Sequence, residues 1–325
     1  MMRLPELDGR RVVVDVPATS ANLGAGYDVL AVALELSLRV EVEVVARPGA
    51  GVELTVEGEG EGQLPSDRSN VFVVALERAL TDVRGLGAAD GLGWRVRMTN
   101  RIPLARGLGS SAAANVAGLL AGHALLSPEG APPPVESVLA VAAELEGHLD
   151  NAAAALLGGF TVAVAGEEPG SPPIAVRFEP PRDLRAVLFI PDQPAATAEM
   201  RALLPAAVPL ADAVFNLGSV SLGVAGLASG RTELLRHLTA DRLHEPYRAT
   251  AFPALPRLVG AARDAGALGA CLSGSGSTVI AFVDSLAAIT RVEAAFRAAA
   301  ADLELDGRAE LVAIQATGAR VVSVD

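Results

Sequence analysis

The stretch "PLARGLGSSAAANVAGLLAG" (Pro103–Gly122) reads as a glycine and serine turn feeding an alanine-rich helix. Glycine supplies positive φ and serine caps helix starts, so a plain loop-to-helix joint needs no ligand. The same elements also make an anion site: glycines let backbone N–H groups approach a charged oxygen, and Ser110 and Ser111 add hydroxyls at the positive end of the helix. Two familiar phosphate loops are excluded. G-x-x-x-x-G-K-[ST] cannot occur, because all 26 basic residues are arginine. The dinucleotide fingerprint G-x-G-x-x-G fails because "GLGSSA" lacks the third glycine and does not follow the first strand. On this stretch alone, a lysine-free triphosphate cradle and an ordinary turn both stand.

Working outward, "GWRVRMTNRIP" alternates as a strand and leads into the turn, so the turn joins a strand to a helix. The helix is predicted over Ser111–Leu126 and stopped by "SPEGAPPP"; a second helix, Val135–Glu146, runs into "EGHLDN". Upstream, Arg11–Val16 and Leu38–Val45 read as strands around a glycine-rich loop and a short helix, and "NVFVVALERALTDV" has helical spacing. Downstream, "LLGGFTVAVAG" and "DLRAVLFIPD" read as strands around the proline-rich "EEPGSPP". Helices are predicted around Thr197–Leu204, Asp212–Ala228, "LPRLVGAARDAG" and Leu286–Ala301, with a strand pair around "GACLSGSGSTVIAFVD" and a last strand near Leu311–Val324.

A chain of 325 residues exceeds one usual core and predicts two domains, divided as 1–160 and 161–325. Half of the residues are hydrophobic and a fifth charged, a globular composition. The net charge of −12 disfavours nucleic acid as a partner. No apolar run reaches the roughly 20 residues that cross a bilayer, so no membrane segment is expected. One cysteine, Cys271, and no secretory leader pattern point to the cytoplasm. Cys271 and the single Trp94 read as packing residues.

"PLARGLGSSAA" (Pro103–Ala113) resembles the P-x3-G-L-x-S-S-A signature of the GHMP kinases, and further motifs follow in that superfamily's order. "PATSANLGAGYDVLAVAL" (Pro17–Leu34) resembles the N-terminal motif of its homoserine kinase family, and "EGHLDNAAAALLGGF" (Glu146–Phe160) and "LHEPYR" (Leu243–Arg248) look specific to that family. "CLSGSGSTVIAF" (Cys271–Phe282) resembles the glycine-rich C-terminal motif of the superfamily. The resemblance implies a two-domain α+β fold, the N-terminal domain like ribosomal protein S5 domain 2 and the C-terminal one a ferredoxin-like α/β sandwich. It also implies ATP and Mg²⁺, a small hydroxy amino acid, L-homoserine, as acceptor, and frequent homodimers.

Residue by residue, the resemblance puts ATP against Pro103, Leu104, Ala105, Arg106, Gly107, Leu108, Gly109, Ser110, Ser111, Ala112 and Ala113, with Gly274, Ser275 and Gly276 opposite and Asn70 near the adenine. A zwitterionic acceptor needs a carboxylate for its ammonium and guanidinium forks for its carboxylate. By resemblance Asn22, Asp28 and His148 line that pocket and Arg201 and Arg248 take the carboxylate. Thr197, Asp150 and Asn151 would stand near the reacting hydroxyl, with the pair Asp150–Asn151 undivided as to which faces it. Mg²⁺ would use Ser111 and a glutamate, with Glu144 preferred over Glu146 because its spacing to His148 resembles the E-x-x-x-H-G pattern of mevalonate kinases. Standing alone, Asn22 and Asp28 would be turn residues, Arg201 and Arg248 surface charges, and His148 a helix-end cation. Two departures stand out: "EGHLDNAAA" lacks the family's proline and valine, so Leu149 is expected to relax the loop setting His148, and Ser277 replaces a proline. A related kinase for another acceptor, and a nucleotide sensor without turnover, remain the alternatives.

Overall fold

A computed structural model describes residues 4–47, 49–127, 133–168 and 170–325. Parts of the predicted stops "SPEGAPPP" and "EEPGSPP" lie outside the described residues. Strands β1 (Arg11–Ala21) and β2 (Leu30–Val45) pair antiparallel along most of their length, from Arg11↔Glu43 to Ala21↔Ala31. Pro17 cannot donate to the ladder, and the register shifts between it and Ala18. No helix joins these strands, contrary to the expectation. Asn22, Leu23 and Asp28 take positive φ of 68°, 48° and 56°, which no helix tolerates.

The chain continues through β3 (Val52–Gly58), α1 (Val71–Arg84), β4 (Gly93–Asn100), α2 (Ser110–Leu126), α3 (Val135–Glu146), α4 (Asp150–Leu157), β5 (Phe160–Val164) and β6 (Ile174–Phe178). β3 and β6 fall where no strand was predicted. After β7 (Arg185–Pro191) come α5 (Thr197–Ala202), α6 (Leu210–Ser229), α7 (Leu235–Leu238), α8 (Glu245–Arg248) and α9 (Leu255–Asp264). β8 (Gly269–Leu272), β9 (Val279–Val283), α10 (Leu286–Asp302), β10 (Gly307–Ala313) and β11 (Arg320–Val324) complete it, two strands standing where one was expected near the end.

The first sheet runs β11-β1-β2-β4-β3, with β5 pairing the start of β2 and carrying β6 outside it. β6 and β11 lie beyond residue 160 yet belong to this sheet, so a single cut at 160/161 does not separate the two sheets. The second sheet runs β10-β7-β9-β8, antiparallel throughout, which is the ferredoxin-like order. Its two faces are both covered. Leu188, Ile190, Ile280 and Phe282 join the core of the first domain, while Val187, Phe189, Val279 and Ala281 pack with Leu258 of α9 and Phe296 of α10. The period of two along a strand therefore splits "AVLFI" and "VIAFV" between two cores, explaining why they read as continuous apolar runs.

Helix α2 is the central strut, apolar nearly all round and buried. Gly118 and Gly122 let it approach α1 so closely that a Cβ on either would meet the carbonyl of Phe72 or Leu76. Trp94 is buried in the same core, its indole N–H donated to Glu77 at 2.8 Å, and Cys271 is fully buried, as expected of packing residues. Among the described residues α6 is one helix long and apolar enough to cross a membrane by length and composition alone. Its packed side carries Asn216, Ser219, Gly223 and Gly226, and its outward side Leu210, Val214 and Leu217.

Phe282 of the second sheet meets Phe160 of the first, with ring centroids 5.9 Å apart. Phe282→Ala should cost about 3–5 kcal/mol in denaturant unfolding. Because the core is continuous, wild type should unfold in one transition by both fluorescence and circular dichroism; two separated transitions would show independent domains.

Candidate active site

The turn at Pro103–Gly109 is where strand β4 delivers the chain to the buried α2. Gly109 caps α2 in the left-handed conformation (φ 71°), and no side chain caps the helix. The first amides of α2 thus have neither an intrahelical nor a side-chain acceptor, the arrangement that binds anions. Gly107 (φ 72°) packs against the 273–276 loop so tightly that a Cβ would collide with the Ser273 carbonyl. The Ser273 hydroxyl donates to Gly107 O at 2.7 Å, and Gly274 N donates to Ala21 O at 3.0 Å. Three motifs far apart in sequence are thereby bolted together.

They enclose an open cleft of about 650 Å³, counting the solvent at its mouth, a size that takes small molecules. Pro103, Ala105 to Ala112, Gly274 and Ser275 line one side, and Asn22, Asp28, Glu146, His148, Asp150, Asn151, Thr197, Arg201 and Arg248 line the other parts. Leu104, Ala113 and Gly276 support the loops without lining the cleft. Arg106 lines it, but its guanidinium is spent on the carbonyls of Leu104, Pro191 and Asp192, pinning the loop to the end of β7.

Two of the expected residues are elsewhere. Asn70 is the N-cap of α1, accepting from Phe72 N at 3.0 Å and donating to Pro65 O at 2.8 Å, so its amide is consumed by the helix start. Glu144 points to the outside, where it pairs with Arg78 at 2.6 Å and is 61% exposed. Glu146 is the glutamate beside Ser111, whose hydroxyl donates to Glu146 Oε1 at 2.6 Å. Positions two apart on a helix face nearly opposite ways, so only one of the two could turn inward.

Elsewhere in the cleft lining, Arg201 donates two parallel bonds to Asp28, at 2.8 and 2.9 Å. Arg248 is fully buried; its Nη1 donates to Gly274 O at 2.9 Å and lies 3.1 Å from His244 Nδ1, and its Nε has no partner. Burial depresses the Arg248 pKa. The Tyr27 ring lies between the two guanidiniums, 5.7 Å from one and 5.5 Å from the other. Burial and the neighbouring Asp28 push its hydroxyl up. Thr197, at the start of α5, sits 3.2 Å from Ser275 Oγ.

His148 Nδ1 lies 3.0 Å from Asp150 Oδ1, a bond that raises the imidazole pKa. Leu149 is buried, and the loop is held by this contact together with Asn151 N donating to Asp150 Oδ1 at 2.8 Å. Ser277 replaces proline with a tie of its own, donating to Gln193 O at 2.5 Å.

Sequence reasoning passed over four neighbours of the site. Asn115 donates to Glu146 Oε1 from one turn beyond Ser111, a polar i, i+4 pair in an otherwise alanine-rich helix that was a usable signal. His244 stands one turn before Arg248 in "HEPYR", Tyr27 adjoins Asp28, and Thr19 lies inside "PATSAN"; none carries a signal separating it from a structural residue.

Residues 70–159 match the GHMP kinases N terminal domain, and residues 224–302 match the GHMP kinases C terminal. The homoserine kinase of Moorella thermoacetica is 41% identical over 83% of this chain and 86% of its own length. The chain belongs to the homoserine kinase family of the GHMP kinases. The homoserine kinase of Caldicellulosiruptor saccharolyticus is 35% identical over 96% of this chain and 97% of its own. The crystal structure of homoserine kinase from Cytophaga hutchinsonii is 30% identical, with a TM-score of 0.82, over 96% of this chain and 97% of the other. The protein is therefore a kinase with the two-domain α+β fold of that superfamily, and ATP is its phosphoryl donor.

Behind Arg248, burial drives His244 down to about 4 and Glu245 up to about 8. Glu245 Oε1 accepts from Leu272 N at 2.6 Å. Between its ordinary 4.5 and about 8 the folded chain holds a proton at Glu245 that the unfolded chain has lost. That contribution to stability is complete below the window and fades as pH rises through it. Glu245→Gln keeps the Oε1 acceptor and has no proton to lose, so in denaturant unfolding the variant should gain on wild type steadily from about 4.5 to about 8. A difference independent of pH would mean that Glu245 is ionised in the folded protein.

Proposed function

We propose that this kinase transfers the γ-phosphoryl group of ATP to the side-chain hydroxyl of L-homoserine, giving O-phospho-L-homoserine and ADP. One observation carries the reading: an uncapped, glycine-framed helix start and a carboxylate with two guanidiniums open on the same cleft. The first suits a triphosphate. The second suits a zwitterion, whose ammonium can take Asp28 while its carboxylate takes Arg201 and the unpartnered side of Arg248. Asp28 and Arg201 bind each other at 2.8 Å, so an acceptor carrying only one of the two charges would break the pair and leave one member uncompensated. Mevalonate, with no ammonium, meets that penalty.

The donor set also fits Mg²⁺. Ser111 Oγ and the second oxygen of Glu146 are hard ligands, and Mg²⁺ needs few from protein because it keeps waters and phosphate oxygens. No group of three or more His, Cys, Asp or Glu that could hold a metal occurs among the described residues. Bound there, it would neutralise charge on the phosphates. The acceptor oxygen forms the new bond to the γ-phosphorus as the bond to the β,γ-bridging oxygen breaks. Loop amides and the α2 dipole hold the charge spread over the phosphoryl oxygens. Asn22, through Asp28 N at 3.0 Å and Gly274 O at 2.9 Å, ties the acceptor turn to the nucleotide loop. The chain holds no lysine, and a loose transition state lets the hydroxyl proton leave late, so positioning by Thr197, His148 and Asn151 can suffice.

In an ADP-release assay with Mg-ATP, turnover should saturate with L-homoserine and be absent with L-serine, mevalonate and galactose; turnover with another acceptor instead would overturn the assignment. Arg248→Ala should raise the KM for homoserine roughly ten- to a hundredfold while that for ATP moves little, a split that a general folding defect would not produce. Glu146→Gln should lower kcat by about a hundredfold and Glu144→Gln leave it unchanged; equal effects would contradict the Ser111–Glu146 metal site.

A further inference from the structure

Thr19 lies on β1 behind the cleft, fully buried and not among its lining residues, and joins its two working halves. Its amide donates to Leu108 O at 3.1 Å, in the nucleotide loop. Its hydroxyl donates to Asn151 Oδ1 at 2.7 Å, at the start of α4. Gly109 closes the triangle, since a Cβ there would strike the Thr19 hydroxyl and crowd Asn151 Oδ1. Thus the glycine that caps α2 is also the residue that makes room for this bond.

A buried hydroxyl needs an acceptor, and among the described residues Asn151 Oδ1 is the one the Thr19 hydroxyl has. Turning the amide over would offer Thr19 an N–H donor and leave its own hydrogen without a partner in a dry place, at the cost of an unsatisfied buried donor. The hydroxyl therefore selects one face of the amide. The Asn151 NH₂ has no partner among the described residues and is not enclosed, and Asn151 lines the cleft. Asp150, by contrast, has its Oδ1 committed to His148 and to Asn151 N.

We propose that Thr19 is a positioning residue that points the Asn151 NH₂ at the reacting atoms, making Asn151 a hydrogen-bond donor to the phosphoryl group in transfer and excluding it as a base. The inference rests on the phosphoryl-transfer reading above. A donor aimed where charge develops acts mainly on kcat, whereas a residue that merely held the loop would disturb substrate binding or folding.

Thr19→Val keeps the shape and removes the donor. With L-homoserine and Mg-ATP its kcat should fall by about tenfold or more, while both KM values stay within about twofold of wild type. Thr19→Ser should restore most of the loss. Asn151→Ala and the double variant Thr19→Val/Asn151→Ala should have the same kcat, because Thr19 acts only through Asn151. An unimpaired Thr19→Val, a rise in the KM for ATP matching the fall in kcat, or losses that multiply in the double variant would each overturn the proposal. Should Thr19→Val fail to fold, the same cycle is run with Thr19→Ala. Wild-type turnover of L-homoserine is the separate control: its absence would sink the acceptor assignment, whereas a normal wild type beside an unimpaired Thr19→Val sinks this inference alone.

Discussion

The cleft depends on one backbone-to-backbone approach, that of Gly107 against the 273–276 loop. The Ser273 hydroxyl bonded to Gly107 O fixes the distance, and Ser20 Oγ stands 2.8 Å from the same hydroxyl. A side chain on Gly107 would enter the space of Ser273 O and Gly276 N. Everything else at the site is referred to this joint. The uncapped start of α2 faces the cleft because the loop before it is clamped, and Arg248 reaches the cleft floor because Gly274 O, part of the same joint, accepts from it at 2.9 Å. The joint can be this close because the second sheet shares its inner face with the core of the first domain, so the two loops ride on a single packed body.

Charge in the site is arranged around that frame by mutual neutralisation. Asp28 and Arg201 hold each other, and Asp150 holds His148. Arg248 is packed against Tyr27 and His244, which also touch each other, with its Nε unpartnered. A buried cation with spare donors is costly unless something arrives to use them, which is the physical ground for placing the acceptor carboxylate there. The left-handed backbone at Asn22, Leu23, Asp28 and Ala105 is strain of the kind that a surrounding scaffold must hold in place. Three of these four line the cleft. Three arginines line it, Arg106 tying backbone carbonyls and Arg201 and Arg248 standing near Tyr27, and their permanence as cations suits a chain with no lysine.

Much of this was legible in the chain itself. Start and stop signals around runs of helix-forming residues located α2, α3 and α10 nearly to the residue, because turn residues and proline mark helix ends sharply. Five motifs in order named the family and most lining residues. What the sequence left open has a common cause: it depends on which way a side chain turns once elements pack. Glu144 and Glu146 are equivalent by composition, and only the packing of α3 against α2 sends one to Ser111 and the other to Arg78. Asn70 has the residue type of a ligand contact and stands as the cap of α1, a placement that its residue type alone did not reveal. β3 and β6 are edge strands whose pairing is decided by the neighbour; β6 is short, whereas the alternation of "VELTVEG" in β3 was a usable strand signal that was passed over.

The sequence alone therefore determined a lysine-free glycine loop and, through its length, an expectation of two domains, while the grouping of Asp28, Arg201 and Arg248 came with the family resemblance. Local spacing and residue type suffice for the first. The tertiary structure alone decided that Thr19 meets Asn151, that Glu146 meets Ser111, and that β6 and β11 return to the first sheet. Each of these joins residues far apart in the chain or chooses between near neighbours. Their encounter is set by the close packing of strands and helices around a core to which both sheets contribute, which no local pattern records.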